Sequence, residues 1–78
     1  MPRFYLDLVE DGVCLADDDG MVADVLDEAE AEASFTVAEI MSDPVHQARL
    51  RDLEIIIRDE ERAPVSRVSV SVRRAKLN

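Results

Sequence analysis

Asp17-Asp18-Asp19-Gly20 is the one stretch whose residue types suggest a cation site, because hard cations take several oxygen ligands from a single loop. A calcium loop spaces its carboxylates as Asp-x-Asp-x-Asp-Gly and closes on a bidentate Glu at the twelfth position. Here the acids are contiguous, and the twelfth residue counted from Asp17 is Glu28, inside a helical pattern. A solvated acidic turn is the favoured reading. Weak cation or small-ligand binding by this turn is the alternative to a protein-interaction role.

A nucleophile and a base are each present once. Cys14 and His46 are the sole cysteine and sole histidine, so a cysteine-histidine-acid arrangement can be written on paper. Nothing such as a glycine-rich turn presents Cys14 as a nucleophile, and its short strand favours a small buried hydrophobe. His46, beside Pro44, has no second histidine or cysteine near it to share a metal and reads as a surface residue. The chain is therefore expected to be no enzyme, with no catalytic residue, metal ligand or cofactor.

Charge bounds the partners. The net charge of -9 and pI of about 4.3 oppose the phosphate attraction that supports nucleic-acid binding, and also oppose docking to an anionic membrane. Residues 1 to 43 carry one basic residue against thirteen acidic, and residues 44 to 78 carry eight basic against five acidic. The basic end, Arg67, Arg73, Arg74 and Lys76, lacks the aromatic platforms of a single-strand binder and reads as neutralising the acidic helix of the same or a neighbouring copy. The acidic helix face, Asp27, Glu28, Glu30, Glu32 and Glu39, reads most simply as solvated, with a basic partner as the second possibility. The expected partner is the chain itself or another protein with a basic patch, and neither nucleic acid nor membrane.

With 78 residues the chain has room for one domain, 1 to 78, and a thin two-layer core. One cysteine allows no internal disulfide, which favours a reducing compartment. Met1-Pro2-Arg3-Phe4 lacks the apolar core of a signal peptide, and no run approaches the roughly 20 apolar residues of a span, so the cytoplasm is the expected location.

The elements follow from periodicity. Phe4, Leu6 and Leu8 alternate with Tyr5 and Asp7, Asp11-Gly12 forms a hairpin turn, and a short strand runs from Val13 to Ala16. Leu26, Ala29, Ala33, Val37 and Ile40 share one face of a helix placed at 24 to 42, with Asp24 as N-cap and Ser42-Asp43-Pro44 as its end. Pro44 can open a further short turn reaching about Leu50. Leu53, Ile55 and Ile57, then Val68, Val70 and Val72, give two more one-sided strands.

These elements predict an α+β two-layer sandwich of β-β-α-β-β layout, a four-stranded antiparallel sheet with one main helix on one face. The expected strand order is 2-1-3-4, which places the densest apolar runs in the middle. The expected core is Phe4, Leu6, Leu8, Leu26, Ala29, Ala33, Val37, Ile40, Leu53, Ile55, Ile57, Val68, Val70 and Val72.

No helix remains for the other face, which carries Tyr5, Asp7, Val9, Glu54, Ile56, Arg58, Arg67, Ser69 and Arg73. It is either solvated through cross-strand pairs, such as Asp7 or Glu54 with an arginine, or covered by a second subunit. Tyr5, Val9, Ile56, Arg67 and Arg73 are the candidate interaction residues. The function expected is a non-catalytic interaction or regulatory module that self-associates as a homodimer, through this open face or through an edge strand, for which Val68 to Arg74 is the candidate.

Pro2-Arg3-Phe4-Tyr5-Leu6-Asp7-Leu8, the Asp17-x-x-Gly20 turn, the helix start around Asp24 with Ala29 and Glu32-Ala33, and the segments Asp59-Glu60 and Pro64-Val65 occur in an order that resembles a family. It is a small bacterial domain of unknown function whose members open Met-Pro-Arg followed by aromatics. The resemblance spans nearly the whole chain and implies the β-β-α-β-β layout, with no activity attached. Arg62 or Ala63 stands where that family has a turn glycine. The turn must then either hold a side chain in the left-handed region, at about 1 to 2 kcal/mol, or be rebuilt.

Overall fold

The alternation in Arg3 to Glu10 builds β1 (Arg3–Glu10), and the turn at Asp11-Gly12 returns the chain as β2 (Val13–Leu15). Asp11 and Gly12 have φ of 47° and 87°, the left-handed pair that matches a two-residue hairpin to the twist of its strands. A computed structural model describes residues 2–49 and 52–77. After the acidic turn come β3 (Met21–Val22), α1 (Leu26–Met41), α2 (Pro44–Arg49), β4 (Asp52–Arg58) and β5 (Pro64–Ser71). Leu50, where the sequence ends the short second helix, lies outside the described residues.

The fold is α+β, an antiparallel sheet with one main helix. The long path of the sheet is β2-β1-β4-β5, which is the expected order once β3, pairing with β1 beyond the end of β2, is set aside. β3 was not expected: Met21 and Val22, opposite Phe4 and Arg3, are too few to show a period. Leu6, Leu8, Ile55, Ile57 and Val68 fall on one face because Leu6 pairs with Ile57, Leu8 with Ile55, and Ile55 with Val68. A register shift at Ile57/Arg58 leaves Val65 as an extra residue in β5, and it stays 44% exposed.

The helix turns Ala29, Ala33 and Val37 onto this face, where all three are buried. With Phe4, Leu53, Ile55 and Ile57 they form the core, with Leu6, Leu8, Leu26, Ile40, Val68 and Val70 packed partly buried around it. The alanines let the helix axis approach the sheet, and the three fully buried residues of β4 supply about 1.5 to 3 kcal/mol each before chain entropy is set against them. Three placements differ from expectation. Val72 lies beyond the end of β5 and outside the core cluster, while Ala23 and Met21 join it. Val25, extended at φ -139° and ψ 159°, is the N-cap in place of Asp24 and makes no side-chain capping bond. Cys14, expected as a buried hydrophobe, is exposed, because its pairing with Val9 turns it to the face without the helix.

Candidate functional site

Two turns meet at one end of the helix-free face, and the first is the acidic one. β2 occupies the outer edge of β1 at Leu8 to Glu10 and β3 occupies it at Arg3 and Phe4, leaving a gap between them. Asp17 fills that gap. Its Oδ2 accepts the Leu6 amide at 3.0 Å, where a neighbouring strand would have offered a carbonyl. Its Oδ1 accepts the amides of Asp19 at 3.1 Å and Gly20 at 3.0 Å, closing the turn. Partial burial pushes the Asp17 carboxyl up, but the Gly20, Leu6 and Asp19 amides and the Arg62 charge outweigh it and hold the pKa below the ordinary 3.8. Gly20 is required there: at φ 73°, a Cβ on it would stand 2.8 Å from the Phe4 carbonyl oxygen.

The second turn, 59 to 63, is organised by another aspartate. Asp59 Oδ1 accepts the amides of Glu61 at 2.9 Å and Ala63 at 3.0 Å. The missing glycine is answered by the first of the two possibilities: Arg62 itself adopts φ 65°. Its guanidinium lies 4.3 Å from the centroid of the Tyr5 ring, a cation-π contact of about 0.5 to 1 kcal/mol that offsets part of the backbone cost.

Between these turns lies Asp7. It is 4% exposed although it points to the face that has no helix. The Asp17 amide donates to its Oδ1 at 3.0 Å, and Arg58 Nε donates to its Oδ2. Further along, Arg67 Nε stands 3.3 Å from Glu54. Both carboxylates therefore have the arginine partners that the sequence suggests, and the charges of the face are largely matched within the chain. What remains unmatched is apolar: Tyr5, Val9 and Ile56 are half-buried, with Cys14 beside Val9. Of the other candidates, Arg67 is on this face and exposed, and Arg73 is exposed beyond the end of β5.

The basic end has a local task as well. Arg74 donates to the carbonyls of Gln47 at 2.7 Å and Ala48 at 3.3 Å, satisfying the last turn of α2. His46 Nδ1 is 3.3 Å from Asp43, close enough for an ion pair when protonated but not aligned as a hydrogen bond. Cys14 on β2 and His46 on α2 belong to elements that share no extensive contact. Among the described residues, no group of three or more His, Cys, Asp or Glu is placed to hold a metal ion. No described helix is long and apolar enough to cross a membrane.

The family described as Domain of unknown function (DUF6894) matches the chain over residues 3–71. The chain belongs to this family. DUF6894 thus takes in every strand and helix of the described residues, including Asp7, Asp17, Gly20, Arg58 and Arg62, and stops where β5 stops. The basic segment 72–77 lies beyond the DUF6894 match. No curated protein and no solved structure matches the chain.

Sequence reasoning put Asp17 in a solvated turn and missed its role as a substitute for a strand. The available signal was the Asp-x-x-Gly spacing, which suits a carboxylate that accepts amides two and three residues ahead.

Proposed function

We propose that this chain is a non-catalytic protein-interaction module of the bacterial cytoplasm, a two-layer sandwich that self-associates as a homodimer through the face of its sheet that carries no helix. The carrying observation is the apolar trio Tyr5, Val9 and Ile56, half-buried on a face that no described helix covers. A buried carboxylate that already holds Arg58 and the Asp17 amide places no uncompensated charge in the middle of that face, so Tyr5, Val9 and Ile56 can be covered without stranding an ion. Arg67, paired with Glu54, and Arg73, exposed beyond the end of β5, would border the contact. The exposed free thiol of Cys14 fits a reducing compartment.

The size of the face sets the strength of the association. Four strands about 4.8 Å apart and roughly 20 Å long give on the order of 400 Å² per copy, about half the standard 800 Å². The dimer should therefore be concentration-dependent. Reading the acidic turn as a cation or ligand site has less support, because Asp17 already accepts three backbone amides.

Size-exclusion chromatography with light scattering over a hundredfold concentration range tests the proposal. The mass should rise from 8.7 kDa towards twice that value, and Ile56→Glu should hold it at 8.7 kDa with unchanged circular dichroism. A wild-type chain that stays at 8.7 kDa throughout would remove the reading.

A further inference from the structure

The helix does not cover all of the face it packs on. α1 lies mainly over β5 and β4, with a smaller share over β1. Glu30, near its start, accepts the Ser66 hydroxyl of β5 and ties that flank down. The β1–β2 half of the same face is left as a shelf. Leu8 pairs with Leu15, and Glu10 with Val13, so Leu15 and Val13 point to the helix side, yet they are 70% and 74% exposed.

Two clefts that share Leu8 run along this shelf. One, of about 250 Å³, has Leu6, Met21 and Ile55 in its lining and is walled by Glu32 and Thr36 of α1. The other, of about 380 Å³, lies over Val13 and Leu15. Phe35, one turn from Glu32 on the same flank of α1, is 64% exposed. Among the described residues, every charged residue lining the clefts is acidic: Asp17 and Glu32 at the first, Glu10 and Asp11 at the second.

We infer that this shelf is a docking site for a basic amphipathic helix of another protein, which lies beside α1 and completes the helical layer. The width selects a helix, since two strands at about 4.8 Å spacing expose a strip roughly 10 Å wide, close to the 10 to 12 Å diameter of one α-helix. The lining selects its chemistry. Aliphatic side chains at i, i+3, i+4 and i+7 would fill the clefts over Leu6, Leu8 and Leu15, and lysines or arginines on the flanks would meet Glu10 and Glu32. The site lies on the opposite face from the proposed dimer contact and does not depend on it.

The test uses the isotope-labelled full chain and three synthetic 14-residue peptides. One is a helix with leucine at those spacings and lysine elsewhere, one is its scrambled isomer, and one replaces lysine by glutamate. The amphipathic lysine peptide should shift amides of residues 6, 8, 13–15 and 32–36. The scrambled peptide should bind about tenfold more weakly or worse, and the glutamate peptide not at all. Leu15→Ser, at an exposed position, should weaken the first peptide about tenfold, while Ile56→Glu should leave it unchanged. Equal binding of the scrambled peptide, or shifts spread over Asp27, Glu28 and the outer face of α1, would overturn the inference. Failure of self-association would leave this result untouched, so the two readings fail separately.

Discussion

The backbone amide of Asp17 donates to the carboxylate of Asp7 at 3.0 Å, so an acidic residue in a surface turn is bonded to an acidic residue buried in the central part of the sheet. The bond runs through the peptide dipole, and the two side chains find their counter-charges elsewhere. Asp7 takes Arg58, while Asp17 takes the amides of Leu6, Asp19 and Gly20. Together they lock the acidic turn to the edge of β1 and hold Tyr5 between the two turns.

Asp17→Ala removes an acceptor from three amides at once. The site is only partly buried and water can reach some of them, so the loss should be about 1 to 2 kcal/mol at pH 7, read by urea denaturation. The effect should carry a pH signature. Because folding depresses the Asp17 pKa below 3.8, the stabilisation is fully present above that value and is lost as pH falls through the folded value. The gap between wild type and Asp17→Ala should therefore narrow below pH 3.8. An equal gap at pH 7 and at pH 2.5 would separate the carboxylate charge from the role given to it.

Two glycines with positive φ should respond differently to alanine. At Gly12, φ 87°, a Cβ meets nothing within 4 Å, so only the backbone cost of about 1 kcal/mol applies. At Gly20, φ 73°, the same atom would sit 2.8 Å from the Phe4 carbonyl oxygen, and β1 and the turn must part. Gly20→Ala should cost about 2 kcal/mol more than Gly12→Ala in thermal or chemical denaturation. Equal costs would mean that the turn has room to move away from β1.

Arg58→Ala leaves the Asp7 carboxylate with the Asp17 amide and no cation. A buried charge stripped of its partner is expensive, and with Arg58 itself one-third exposed the expected loss is about 2 to 3 kcal/mol. Replacing both residues, as Asp7→Leu with Arg58→Leu, should recover most of that loss. A double variant as weak as the single one would show that the pair positions the strands rather than neutralising a charge.

Arg62 sets a backbone cost against a side-chain gain. Arg62→Gly relieves the left-handed strain but gives up the contact with Tyr5, so stability should change by less than about 1 kcal/mol. Arg62→Ala keeps the strain and loses the contact, and it should be the less stable of the two variants. The order of their melting temperatures checks this directly.

Much of the sheet was legible because a period of two leaves little choice. Phe4, Leu6 and Leu8, and Leu53, Ile55 and Ile57, are the densest alternating runs, and they form the two central strands β1 and β4. The hairpin register carried more than was read from it: a two-residue turn at Asp11-Gly12 pairs Val9 with Cys14, which already assigns Cys14 to the helix-free face. Other features had no local signal. β3 is two residues long, and the bond from Asp17 to Leu6 spans eleven residues. The shelf at Val13 and Leu15 exists because α1 sits towards β5, a tertiary offset that no single segment encodes.

Self-association through the helix-free face is tested by an isotope-filtered nuclear Overhauser experiment on a mixture of labelled and unlabelled chain at about 1 mM, where an association this small should be populated. Intermolecular cross-peaks from the side chains of Tyr5, Val9 and Ile56 to the unlabelled copy are the predicted result. Cross-peaks arising from Val13, Leu15 and Phe35 instead, or none at all, would contradict it.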